Sequence, residues 1–285
     1  MAKFVKVVRS VSALRQAAAA WRAAGESIAL VPTMGALHDG HLSLVTLAKK
    51  KCRRTVVSIF VNPAQFAAHE DLSRYPRDEK GDLAKLFSVE ADLVWAPDVA
   101  EMYPEGFSTR VMPGSAAEGL EGLVRPHHFA GVATVCCKLF SQVTPDLAIF
   151  GEKDYQQLCV LKQMVRDLNL PLKILGGPTE RDDDGLALSS RNAYLTSEER
   201  KAAPALYAAI IQCAKRVAKG DRIASACKTA EKAILAAGFH SVDYVEARHA
   251  ETLAPAGPRH THTAKLRVLA AAQLGKTRLI DNVGV

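Results

Sequence analysis

Nowhere in the 285 residues does an apolar run reach the roughly 18 residues that a membrane-spanning helix needs. The opening "MAKFVKVVRS" holds no apolar stretch of signal-peptide length and no small-residue cleavage site. A cytoplasmic location, with no membrane as partner, is the expectation. Low-complexity tracts are missing too. So is any C-x-x-C pair: the six cysteines fall at 52, 136, 137, 159, 213 and 227, most of them among apolar neighbours. A thiol there behaves as a small hydrophobe, so the reading is reduced core residues rather than a disulfide frame or a zinc site. The net charge of +7 is not gathered into a basic stripe. The densest run, "KKKCRR" at 49–54, ends an expected helix, where cations complement the helix dipole. Nucleic acid is therefore not an expected partner, whereas an enzyme of anionic small molecules fits the balance.

What is present is a globular composition, 48% hydrophobic and 24% charged, long enough for one large or two modest domains. Strand and helix alternate. "SIALVP", "TVVSIFVNP", "ADLVWAP", "DLAIFG" and "PLKILGGP" read as strands, with helical patterns between them. Apolar strands without alternation imply a parallel sheet covered on both faces, the doubly wound α/β arrangement. Ligands of such sheets bind beyond the carboxyl ends of the strands. After about residue 178 the pattern changes. Thr196-x-x-Glu199 forms a capping box, Pro204 marks a kink or break, Asp221 is placed to cap a further helix, and "VDYVEAR", "KLRVLAAAQ" and "RLIDNV" read as three strands. The expected division is a Rossmann-like α/β domain at 1–178 and a smaller C-terminal α+β domain at 179–285, with Gly176-Gly177-Pro178 as a plausible hinge. His260-x-His262 sits in the loop "PAGPRHTHT" and reads as solvated, since no third metal ligand is near in sequence.

Chemistry gathers where strands end. "VPTMGALHDGHLSLV" leaves a strand and opens a helix, placing His38 and His41 at a helix start. Unsatisfied backbone N–H groups and the positive helix end attract phosphate there, and neutral imidazoles supply donors. Gly35 and Gly40 allow a ligand near the backbone. The spacing is not the H-x-x-x-H of zinc proteases, and a pair of solvated capping histidines is an equal reading on spacing alone. "FGEKDYQQL" adds Lys153, Asp154 and Gln157; "LALSSRNAYL" adds Ser189, Ser190 and Arg191, two hydroxyls and a guanidinium suited to phosphate; "FVNPAQF" adds the neutral amides Asn62 and Gln65.

These motifs, with "YPR", "RPHHFAGV" and the terminal "RLIDN", run in one order over nearly the whole chain, which resembles the pantothenate synthetase (pantoate–β-alanine ligase) family. Its H-x-G-H element is shared with nucleotidylyltransferases and class I aminoacyl-tRNA synthetases. The resemblance implies attack of pantoate on the α-phosphate of ATP, then displacement of AMP from the pantoyl adenylate by β-alanine. It implies ATP contacts at Met34, Gly35, Ala36, Leu37, His38, Asp39, Gly40 and His41, with His41 as proton donor. Further ATP contacts are implied at Gly151, Glu152, Lys153, Asp154, Glu180, Leu188, Ser189, Ser190 and Arg191, with His38, Lys153 and Arg191 joining His41 in the catalytic set. Gln65 and Gln157 match pantoate contacts, Gln65 also meeting β-alanine; Asn62 is assigned to the substrates, and Asp154 is a partner for the amine. Asp82 matches a carboxylate associated with Mg²⁺, and Tyr75, Glu121 and Arg125 lie in matching motifs. A homodimer is implied as well. Two positions depart from the pattern: Gly81 precedes Asp82, and Glu180 stands where an apolar residue is usual and is expected to face solvent.

Two other readings compete. A nucleotidylyltransferase or tRNA-linked relative would lack an amine site or need an anticodon-binding domain, for which the tail is too small and too evenly charged. A non-catalytic nucleotide sensor would tolerate loss of the histidines or the lysine, and all are present.

Overall fold

A computed structural model describes residues 5–67, 70–261 and 263–285, so His262 lies outside the described residues. The chain divides into two compact units, one of residues 1–152 with 160–178, the other of residues 153–159 with 179–285.

The first unit is built on a six-stranded sheet of β1 (Lys6–Val8), β2 (Ile28–Thr33), β3 (Arg54–Ile59), β4 (Leu93–Trp95), β5 (Leu147–Gly151) and β6 (Lys173–Gly177). Every pairing is parallel and the order is β1-β4-β3-β2-β5-β6. This is the doubly wound α/β sheet that the apolar strands imply. Helices α1 (Val11–Ala23), α2 (Asp39–Lys51), α3 (Glu79–Ser88), α4 (Val99–Met102), α5 (Leu120–Val124), α6 (His128–Val143) and α7 (Tyr155–Asp167), whose residues up to Cys159 group with the second unit, intervene. Ser10 caps α1 through its side chain. Ala29, Val31, Val57, Val94 and Ile149 pack with Val45 and Ala48 of α2 and Leu86 of α3. Their strand neighbours Ile28, Leu30, Val56 and Leu93 are equally buried on the other face. Each buried valine, leucine or isoleucine among them contributes about 1.5–3 kcal/mol of burial energy.

β1 is absent from the sequence reading. Three residues led by a lysine carry too little periodicity, and only pairing with Leu93–Trp95 makes them a strand. The run at 49–54 also divides differently. α2 ends at Lys51, and Arg54 belongs to β3, where it pairs with Glu26 and Asp92.

The second unit packs α8 (Ser197–Ala202), α9 (Ala205–Ala218) and α10 (Ile223–Ala236) with an antiparallel sheet of β7 (Ser241–His249), β8 (Leu266–Leu274) and β9 (Thr277–Gly284). Ile210, Val217, Ile234, Val268, Ala270 and Ala272 form its fully buried centre. The Thr196–Glu199 capping box is present, and Pro204 separates α8 from α9. Asp221 does not cap α10: the cap position is Arg222, and the Asp221 carboxylate is drawn back to Arg216 at 2.6 Å. All six cysteines are free thiols. Among the described residues, no helix is long and apolar enough to cross a membrane.

Candidate active site

β2 and β5 are adjacent, and the sheet runs outward from them in opposite directions, through β3 on one side and β6 on the other. That reversal is the switch point at which doubly wound sheets bind ligands. Met34 follows β2 there, and Glu152 follows β5.

The turn from β2 into α2 is locked from below. Thr33 Oγ1 donates to the Ser58 carbonyl at 2.7 Å and accepts from Gly35 N–H at 3.2 Å. Asp82, 2% exposed, accepts from Ala36 N–H at 2.9 Å and from Leu37 N–H at 2.7 Å, one to each oxygen. Lys85 Nζ donates to the Leu37 carbonyl at 2.6 Å. These bonds hold Gly35 at φ +80° and Ala36 at φ +50°, the left-handed region that costs an alanine free energy. A Cβ on Gly35 would lie 3.0 Å from Asp82 Oδ2, so the turn itself requires glycine here. Burial pushes the Asp82 carboxyl above its ordinary range, the amides of Leu37 and Ala36 opposing that rise.

Past the turn, His38 caps α2 and the two imidazoles meet with ring centres 4.1 Å apart. His41 Nδ1 accepts from the His38 backbone N–H at 3.4 Å. An Nδ1 that accepts leaves the proton of a neutral ring on Nε2, so His41 presents a donor there. Asp39 and Gly40 form the first residues of the helix.

At the end of β3, Asn62 is 1% exposed and fully engaged. Its Oδ1 accepts from Tyr103 OH at 2.8 Å, which turns Nδ2 toward Gln65 Oε1 at 3.0 Å and the Gly131 carbonyl at 3.2 Å. The Gln65 amide is thereby oriented too, its Nε2 directed to the soft Met34 sulfur at 3.3 Å. Arg125 grips Glu70 through two bonds of 2.8 and 2.7 Å and reaches the Gln65 carbonyl at 3.4 Å, and Glu121 lies 4.0 Å from it. Tyr75 is buried against Phe66. Tyr103 and Gly131 carry no sequence signal for this role; the end of α4 and the first turn of α6 bring them to Asn62 only in the fold.

His128 Nδ1 lies 3.1 Å from the same Gln65 carbonyl. Burial, with the Arg125 charge adding to it, holds this imidazole down to about 4 from its usual 6.5. Unfolded, it takes up a proton near 6.5, so the unfolded chain binds more protons between those two values. Stability is unaffected above that window and falls as pH drops through it. Melting temperatures at successive pH values for wild type and His128→Gln should show the wild type losing more on acidification. Parallel curves would remove His128 as the source.

In the second unit Lys153 and Gln157 are half-buried, Asp154 is exposed, and Gln156 rather than Gln157 is the buried amide. Glu180 is exposed, as expected, and its carbonyl accepts from Leu188 N–H at 2.9 Å. Ser189 caps a 3-10 turn at Ser190–Tyr194, its hydroxyl accepting from Arg191 N–H. That turn holds Ser189, Ser190 and Arg191 side by side.

Among the described residues, no three His, Cys, Asp or Glu side chains gather as a metal site. Asp82 spends one lone pair of each oxygen on the turn.

The family described as Pantoate-beta-alanine ligase matches residues 6–284. Pantothenate synthetase of Paramagnetospirillum magneticum is 56% identical over 285 residues, covering 100% of this chain and 99% of its own. The Caulobacter vibrioides pantothenate synthetase is 54% identical, covering 98% of each. Among solved structures, a pantothenate synthetase from Thermus thermophilus superposes with a TM-score of 0.90 at 46% identity, covering 98% of this chain and 99% of that one. The pantoate-beta-alanine ligase of Francisella tularensis, complexed with beta-gamma ATP and beta-alanine, gives 0.80 at 33% identity, covering 98% and 97%. The turn, the amide pair and these whole-length similarities agree: the chain belongs to the pantoate–β-alanine ligase family.

Proposed function

We propose that the chain joins pantoate to β-alanine at the expense of ATP, giving pantothenate, AMP and pyrophosphate. The observation that carries the reading is the locked turn at the switch point, with His41 Nε2 left as a proton donor at a helix start. In the first step a pantoate carboxylate oxygen bonds to the α-phosphorus and the bond to the bridging oxygen breaks, releasing pyrophosphate. Charge builds on that leaving group, and preorganised donors stabilise it without further reorganisation. His41, His38, Lys153 and Arg191 are the donors we assign to it, with Ser189 and Ser190 as phosphate contacts. In the second step the neutral β-alanine amine attacks the acyl carbon, AMP leaves, and the amine loses its proton. Gln65 and Gln157 hold pantoate, Asn62 sets the Gln65 amide, and Asp154 is assigned to the amine. The remaining ATP contacts are assigned to Met34–Leu37, Asp39, Gly40, Gly151, Glu152, Glu180 and Leu188 by resemblance of their motifs.

We place Mg²⁺ on the ATP phosphates, where this ion ordinarily binds with few protein ligands. Asp82 then acts on the turn. Asp82→Asn replaces one acceptor by an N–H facing an N–H, and the KM for ATP should rise about tenfold. The Mg²⁺ concentration giving half-maximal rate should not move. Initial rates over a grid of ATP and Mg²⁺ check this; a shifted Mg²⁺ midpoint would return Asp82 to the metal.

A cytoplasmic location follows from the use of ATP as substrate. We also infer a homodimer through the first unit, where Met112 and Leu123 are 73% and 77% exposed. The resemblance to the family supports this reading, and light scattering on the purified protein reads the mass directly.

The test of the reaction is AMP formation from ATP, with pantoate and β-alanine supplied singly and together. AMP only with both acids, and pantoate-dependent exchange of pyrophosphate into ATP without β-alanine, is the expected result. Exchange indifferent to β-alanine would point to a nucleotidyl transfer instead.

A further inference from the structure

The motif "RLIDN" ends the chain's recognisable pattern without a chemical task. It lies on β9, and its last two residues are both buried. Adjacent strand residues point to opposite faces, so Asp281 and Asn282 reach different segments.

Asn282 Nδ2 donates to the Lys153 carbonyl at 2.8 Å. Its Oδ1 accepts from Arg267 Nη1. The guanidinium of Arg267 has donors only, so the carboxamide has one orientation, oxygen to Arg267 and nitrogen to the carbonyl. The same guanidinium lies 3.8 Å over the Tyr155 ring, and Tyr155 OH donates to the Ala250 carbonyl at 2.9 Å. Lys153 is thus held through its carbonyl by β9, and Tyr155 through its side chain by Arg267 of β8 and the turn after β7.

Asp281 pairs with Arg181 through bonds of 2.6 and 2.8 Å. Arg181 also donates to the Gly185 carbonyl at 3.1 Å, lies 3.5 Å over the Tyr207 ring, and bridges to Ala187. This pins the hairpin that leads directly into Ser189–Arg191.

We infer that Asn282 is a positioning residue for Lys153, and that β9 fixes the separation between Lys153 and Arg191. The inference rests on the ligase reading, in which both cations serve one triphosphate. Lysine has long, flexible reach, so only a fixed backbone gives its ammonium a fixed start. Arg191 hangs from the same strand through Asp281, so the two charges share one frame.

Asn282→Asp tests it. Aspartate is isosteric and still accepts from Arg267, but it cannot donate to the Lys153 carbonyl. The expected result is a kcat at least tenfold lower and a KM for pantoate within about twofold of wild type, in a protein that stays folded with a lowered melting temperature. In a Lys153→Ala background the same change should add little, because two residues acting as one unit are not additive. Amide hydrogen exchange over 153–157 should quicken in Asn282→Asp whatever the activity. A wild-type kcat, an equal fold-loss without Lys153, or unaltered exchange would each overturn the positioning role. A wild type that makes no pantothenate would overturn the ligase reading, with the exchange result still deciding whether Asn282 holds Lys153.

Discussion

His41→Ala is expected to lower kcat by about a hundred- to ten-thousand-fold while the protein stays folded. The size follows from what the ring does. With Nδ1 accepting from the His38 N–H, the neutral imidazole carries its proton on Nε2 and donates without first being charged. A donor that strengthens as charge grows on the departing pyrophosphate acts on the transition state more than on bound ATP, so KM for ATP should change much less than kcat. The cost to folding is small. Alanine gives up one long capping bond at the start of α2, worth about 0.5–1 kcal/mol, while Asp82 and Lys85 still hold the turn. Pyrophosphate exchange and a melting curve on the same sample check both halves. Turnover near wild type in a folded variant would remove His41 from the catalytic set.

Asp281→Ala should be strongly destabilising, by about 3–5 kcal/mol. The substitution removes both bonds to Arg181 and leaves a half-buried guanidinium facing the Tyr207 ring and one carbonyl. It also removes the acceptor for Asn282 N–H at 2.7 Å. Urea unfolding of wild type and variant measures the loss. The double change Asp281→Leu with Arg181→Met should recover part of it, since no uncompensated charge then remains. A loss under about 1 kcal/mol would mean that water reaches Arg181 and the pair behaves as a surface bridge.

Much of this was legible in the chain because its causes are local. Apolar strands without alternation announce a sheet covered on both faces, Thr196 and Glu199 announce their own cap, and Gly-Ala-Leu-His before an apolar helix announces a turn at a strand end. What escaped depends on partners far away in sequence. Asp221 has the right residue type for a helix cap, yet Arg216 offers it a full charge, and that wins over a backbone N–H. That the turn itself needs Gly35 shows only once Asp82, nearly fifty positions on, is found 3.0 Å from where a Cβ would sit. Asn282 and Lys153 stand 129 residues apart, and nothing in either neighbourhood names the other. The motif at the end of the chain was visible, but its work was not, because a strand's task is set by what lies across from it.

The seven residues Lys153–Cys159, which group with the tail, make the second unit discontinuous in the chain. It cannot be lifted out as one stretch. A fragment beginning at Thr179 would bring Arg267 without the Tyr155 face and the Ala250 carbonyl without the hydroxyl that caps it. A chimera that exchanges tails between relatives at residue 178 would likewise set a foreign sheet against a native Lys153 turn. Recombination in this architecture therefore has two seams to match, and the short inner one carries the lysine.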